Sequence, residues 1–110
     1  MDIGKLQEMM AKTKQMKEEM DRKLADTIVE GSSGGGMVLV TMNGQKQLLK
    51  LTIDPSVASA NFQPSDVEML EDLITAAVND AARKADEASQ KMMQGMMGSM
   101  LGGLSLPGLF

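Results

Sequence analysis

The sequence predicts an α+β protomer ordered α-β-β-β-α, a small antiparallel sheet flanked by two long helices. Three observations predict it. Apolar residues recur at helical spacing from Ile3 to about Ala25, and again from Ser65 to about Lys91. Between them, Met37 to Met42 and Gln47 to Ile53 alternate with the period of strands around an Asn43-Gly44 turn. The chain has 110 residues, which suits one domain with a modest core. Residues 1–91 hold all of these elements, and residues 92–110 form a Met/Gly/Leu-rich tail.

The first helix carries the stripe Ile3, Leu6, Met9, Met10, Met16, Met20 and Leu24, close to a heptad pattern. Methionine dominates it, and methionine packs adaptably but specifies a partner poorly. Thr27-Ile28-Val29 reads as a short edge strand. The run Gly31-Ser32-Ser33-Gly34-Gly35-Gly36 then reads as a flexible connector. It is no phosphate cradle, because no Lys-Ser/Thr pair follows and the next element is a strand instead of a helix.

In the hairpin, a two-residue turn would set Val40 opposite Gln47. A four-residue loop, Asn43 to Lys46, would set Val40 opposite Leu49 and Val38 opposite Leu51. The second register pairs apolar with apolar and is preferred. Either one places Val38, Val40, Leu49, Leu51 and Ile53 on a single core face, since the two differ by an even number of residues. Asp54-Pro55 ends the hairpin. Ser65 and Glu68 have the spacing of a capping box at the start of the second helix. That helix buries Val67, Leu70, Leu73, Ile74, Ala77, Val78, Ala81, Ala85 and Ala88. Its alanine half has side chains small enough for close approach to another helix.

Composition excludes several functions. The chain has no Cys, His, Trp or Tyr. Disulfides, thiolate or imidazole metal sites and histidine-based catalysis lose their usual residues. No nucleophile–base pair can be assembled, so no enzyme, cofactor or metal is expected. The N-terminus lacks a signal-peptide pattern, and the uncharged segment from Met92 to Phe110 is too rich in glycine for a good membrane span. A reducing cytoplasm is the expected location. The net charge is −4 and the pI about 4.7, so any nucleic acid must be met by local basic residues.

Three blocks, GSSGGGMVLVTMNG, LTIDPS and MLEDLITAAVNDAARKA, together with the order of elements, resemble the YbaB/EbfC family of nucleoid-associated DNA-binding proteins. The resemblance covers roughly Ile3 to Lys91. It implies α-β-β-β-α protomers paired into a tweezer-like dimer. It also implies duplex DNA as partner, a nucleoid location, a role in gene expression, and DNA contacts that involve the helices.

Physical reasoning also points to a homodimer. Both helices overrun strands of six or seven residues, leaving apolar stripes in need of cover. Met16, Met20, Ala81, Ala85 and Ala88 are the expected interface. Five basic residues have an acid four positions upstream: Glu8–Lys12, Glu18–Arg22, Glu19–Lys23, Asp80–Lys84 and Glu87–Lys91. Lys5, Lys14 and Lys17 on the first helix and Arg83 on the second lack one, and are the expected DNA contacts. No aromatic residue interleaves with them, so phosphate contact with modest sequence preference is expected in place of base stacking. The rival reading is a protein-interaction or chaperone-like adaptor, with the Met-rich helix and the apolar tail binding other proteins.

Overall fold

The computed structural model describes residues 2–59 and 61–102. Helix α1 (Ile3–Asp26) leads into β1 (Ile28–Ser33), a 3-10 turn at Gly34–Gly36, β2 (Val38–Asn43) and β3 (Leu48–Ile53). A second 3-10 turn, Pro55–Ala58, precedes helix α2 (Asp66–Gly102). The strands form one antiparallel sheet in the order β1-β2-β3. This is the expected α-β-β-β-α order.

The core lies between β2 and α2. Val38, Val40 and Met42 alternate along one face of the central strand, and all are buried against Ala77, Ala81 and Ala85. Leu70, Leu73, Ile74 and Val78 close the sides. Burying valines such as Val38 and Val40 contributes about 1.5–3 kcal/mol each. The alanines were expected to face another helix, but they face a strand. At Gly31 in β1, an added Cβ would land on the Ala77 carbonyl and lie 2.5 Å from the Ala81 nitrogen. Strand and helix backbones are therefore in contact, and only glycine opposite alanine permits it.

That contact corrects the reading of the glycine run. Gly31, Ser32 and Ser33 belong to β1, paired with Val40, Leu39 and Val38, and only Gly34–Gly36 forms a turn. Polar bonds fix β1 to the helix as well. The Ser33 hydroxyl donates to the Leu73 carbonyl (2.5 Å), and the Ser32 N–H donates to the Asp80 carboxylate (3.1 Å).

The hairpin register also differs from both expected ones. Val38 pairs with Ile53 and Val40 with Leu51, two residues beyond the preferred register. Thr41 pairs with Lys50 but Met42 with Leu48, so a bulge leaves Leu49 without a partner. The buried Asn43 organises the longer loop: its Oδ1 accepts from the Gln45 and Gln47 N–H groups, both at 3.0 Å. Because the shift is even, Val38 and Val40 keep their face. Leu49 and Leu51 do not join the core, and are 52% and 40% exposed. The reason is placement: α2 packs chiefly on β1 and β2, leaving β3 uncovered.

Helix α1 starts on Asp2, whose Oδ1 accepts from the Gly4 N–H at 3.0 Å. Its C-terminal end is tied to the hairpin loop: the Gly44 N–H meets the Leu24 carbonyl at 2.8 Å, and Gln45 Nε2 donates to the Asp21 carbonyl at 2.9 Å. Leu24 is the buried residue of this helix. The remainder of α1 projects away from the sheet, and the molecule extends over 72 Å.

Helix α2 begins one residue after the expected cap. The Ser65–Glu68 box does not form among the described residues; the Asp66 carboxylate accepts instead from the Gln63 N–H at 2.7 Å. At the other end the helix runs through Gly95 and Gly98 to Gly102, well past the boundary drawn at residues 91 and 92. Of the expected tail 92–110, residues 103–110 lie outside the described residues.

Candidate nucleic-acid interface

Basic residues are segregated along the chain. Between Ile3 and Lys17 there are four lysines, Lys5, Lys12, Lys14 and Lys17, and one acid, Glu8. All four lysines are exposed and none forms an ion pair within 4.0 Å among the described residues. On a helix with 3.6 residues per turn, Lys5 and Lys12 flank one side of the apolar stripe. Lys14 and Lys17 flank the other, and they share an open hollow with Leu6, Met9, Met10 and Thr13. The acids of α1 collect instead near the sheet, at Glu18, Glu19, Asp21 and Asp26.

Of the five intrahelical pairs expected, only Asp80–Lys84 closes, at 3.4 Å. Lys12, Arg22, Lys23 and Lys91 are therefore no more neutralised by contact than Lys5, Lys14 and Lys17. Where pairing does occur, it lies on and around α2. Lys84 Nζ also donates to the Glu30 carbonyl (2.9 Å), and Lys46 on the hairpin loop meets Asp86 at 2.7 Å.

Arg83 was expected to be free, but it meets Asp80 at 2.7 Å, one helical turn away. Asp80 thus gathers the Ser32 N–H, Arg83 and Lys84. The Ser32 N–H is the main cause holding its carboxyl below the usual carboxylate range, with the Arg83 bond next. Arg83 is paired with Asp80 on its own helix while its side chain stays 68% exposed, whereas Lys5, Lys14 and Lys17 have no ion-pair partner among the described residues.

The residues expected at a dimer interface divide. Ala81 and Ala85 are fully buried within the protomer, beneath the sheet, and offer a second subunit no surface. Ala88 and Met16 are half-buried, and Met20 lies beside Met93, Met96 and Met97 of α2. Apolar surface is open elsewhere. Leu48, Leu49 and Leu51 of β3 are 40–52% exposed on the strand α2 does not cover. A hollow of about 350 Å³ continues from Ile53 to Pro55, Val57, Phe62 and Leu70. Sequence reasoning placed Leu49 and Leu51 inside because it assumed that α2 spans the whole sheet. The run of small alanines on α2 was the available signal that it does not.

Among the described residues, no helix is long and apolar enough to cross a membrane. None of them gather as three or more carboxylate, His or Cys groups able to hold a metal ion.

The sequence profile of the YbaB/EbfC DNA-binding family matches residues 2–100. A nucleoid-associated protein of Acidobacterium capsulatum is 58% identical over 112 aligned residues, which cover 100% of both chains. One from Koribacter versatilis is 52% identical over 103 residues, 94% of each chain. The crystal structure of an uncharacterized Helicobacter pylori protein superposes with a TM-score of 0.72 at 30% identity, covering 88% of this chain and 98% of that one.

Proposed function

The chain belongs to the YbaB/EbfC DNA-binding family, and on that footing we propose that it binds duplex DNA as a homodimer through the lysines of α1. The relatives are named nucleoid-associated proteins, and the role proposed here is likewise the organisation of the nucleoid and regulation of gene expression in the cytoplasm. A DNA-binding family accounts for the chain without an enzymatic role.

The observation that carries this reading is the projecting, unpaired lysine segment of α1. A net charge of −4 opposes DNA at long range, but the described part of α2 holds seven acids to three bases and accounts for that excess. Over Ile3–Lys17 of α1, four lysines against one acid make the local charge positive. With Debye screening near 8 Å at physiological salt, a phosphate in contact with α1 responds to these lysines more than to the distant acids. Flexible lysine chains meet phosphates as point charges and read little sequence, so modest preference follows.

The uncovered leucines of β3 support homodimerisation more strongly than the alanines do. Two protomers joined there would present α1 twice. Fluorescence anisotropy on a generic duplex at several salt concentrations tests the reading: log affinity should fall linearly with log salt. Absence of binding even at low salt would overturn it.

A further inference from the structure

We propose that Asn43-Gly44 is a self-modifying site that the docking of α1 holds closed. When the last turn of α1 lifts off the hairpin loop, the Gly44 nitrogen attacks the Asn43 side chain and converts the residue to isoaspartate or aspartate. This inference is independent of the DNA reading.

Asparagine followed by glycine favours this chemistry, because glycine has no side chain to hinder ring closure. The chain has three asparagines, and only Asn43 precedes a glycine; Asn61 precedes Phe62 and Asn79 precedes Asp80. The fold nevertheless requires both residues of the pair. Asn43 is 3% exposed, and its whole carboxamide is used. Its Oδ1 accepts from the Gln45 and Gln47 N–H groups, both at 3.0 Å, and its Nδ2 donates to Gln47 Oε1 at 2.8 Å. At Gly44 an added Cβ would lie 2.9 Å from the Leu24 carbonyl oxygen and 3.0 Å from Leu24 Cδ2. The last turn of α1 therefore leaves room only for glycine.

The lock acts on the nucleophile. The two N–H groups on Asn43 Oδ1 do not protect the amide, since they would stabilise negative charge arriving on that oxygen. The Gly44 N–H, by contrast, donates to two carbonyls at once, Leu24 at 2.8 Å and Thr27 at 2.9 Å. These belong to the end of α1 and its C-cap. While they hold the amide, it keeps its proton and is directed at α1 instead of at Asn43 Cγ. The attachment is local: Leu24 is the buried residue of α1, and Gln45 Nε2 clips the loop to the Asp21 carbonyl at 2.9 Å. Such an end opens at lower cost than the whole domain.

In the open state, hydroxide removes the Gly44 amide proton and the nitrogen bonds to Asn43 Cγ. The Cγ–Nδ2 bond breaks, and Nδ2 takes a proton from water and leaves as ammonia. Water then opens the five-membered imide. Attack at the Asn43 backbone carbonyl gives isoaspartate, whose chain runs through Cγ with an added methylene; attack at Cγ gives aspartate. Neither product can donate to Gln47 Oε1 as Nδ2 did. Isoaspartate also displaces the Gly44 N–H from its two carbonyls, so α1 cannot redock as before.

The test incubates the full chain at neutral pH and quantifies the peptide containing Asn43 by mass spectrometry, with isoaspartate resolved by chromatography. Conversion should be at least about tenfold slower in the folded chain than in the same chain unfolded in urea. Leu24→Ala removes the buried anchor of α1 and should raise both the conversion rate and hydrogen exchange at the Gly44 amide severalfold. Gln45→Ala removes the clip but keeps its backbone N–H, and should raise both with an unchanged circular dichroism spectrum. Val38→Ala loosens the core at the other end of β2 and should raise them less. Equal conversion in folded and unfolded chains would overturn the proposal. So would Leu24→Ala and Gln45→Ala chains that both convert at the unmodified rate. Acceleration by Val38→Ala as large as that by Leu24→Ala would also overturn it, by showing that the whole fold and not α1 is the lock.

Discussion

Replacing Gly31 with alanine should be among the most damaging single-methyl changes in this chain. The new Cβ would lie 2.5 Å from the Ala81 nitrogen and 2.8 Å from the Ala81 Cβ, and would meet the Ala77 carbonyl. Two of these three atoms are backbone, which cannot turn away as a side-chain tip can. Restoring normal contact requires β1 and α2 to separate by about 1 Å. That would loosen a seam that includes Ala77, Ala81 and Val38, all fully buried. Overpacking costs about 1–3 kcal/mol, and a backbone clash belongs at the upper end, near 3 kcal/mol. At about 4–8 °C per kcal/mol for a domain near this size, Tm should drop by roughly 12–24 °C.

Urea and thermal unfolding followed by circular dichroism would measure it, at fixed protein concentration because the proposed dimerisation would couple to stability. Gly35→Ala is the matched control. It has φ +69° but nothing within 4 Å of an added Cβ, so only left-handed backbone strain of about 1 kcal/mol applies. If Gly31→Ala costs no more than Gly35→Ala, the strand–helix contact argued here is wrong.

Other consequences follow. Light scattering should report roughly twice 11.8 kDa for the proposed homodimer, and Leu51→Lys on the open strand should reduce it to the monomer mass while leaving the circular dichroism spectrum intact; an unchanged mass would place the interface elsewhere. The Asp80 carboxyl titrates below its ordinary value of 3.8, so its ionised form favours the folded state. That contribution is complete above the unfolded pKa and disappears as pH falls through the lower folded value. Asp80→Asn should therefore lower stability at neutral pH and reduce the loss measured in urea titrations below about pH 4; identical pH profiles for the two proteins would show that Asp80 does not anchor β1 to α2.

Much of the fold was legible in the sequence. The period-two alternation fixed the face of Val38 and Val40, and an error of two residues in register could not change it. The register itself was not legible, because a bulge that strands Leu49 depends on the loop built around Asn43, and loop geometry leaves little trace in hydropathy. Gly31 misled because glycine usually marks a loop; within a strand it also marks a close backbone approach, and Ala77 and Ala81 four residues apart on α2 were the complementary signal. Leu49 and Leu51 of β3 were read as core because pattern gives the face of a residue but not how far the covering helix extends. At the candidate site the basic residues were all visible. Their pairing was not, since intrahelical spacing permits an ion pair without enforcing one in water. Tertiary pairs such as Lys46–Asp86 have no sequence signature.

The central claim is that the unpaired lysines of α1 carry the DNA contact. Two triple variants test it: Lys5, Lys14 and Lys17 to Gln, and the ion-paired Lys46, Arg83 and Lys84 to Gln. Both remove the same net charge, so the long-range field changes equally and only local contact differs. Affinity for a generic duplex should be measured by anisotropy across a salt series. Each lost phosphate contact should reduce the slope of log affinity against log salt by about 0.9, so the α1 triple should flatten it clearly. The second triple should leave it nearly unchanged. Equal flattening in both variants, or an α1 triple that binds like the unmodified protein, would contradict the assignment.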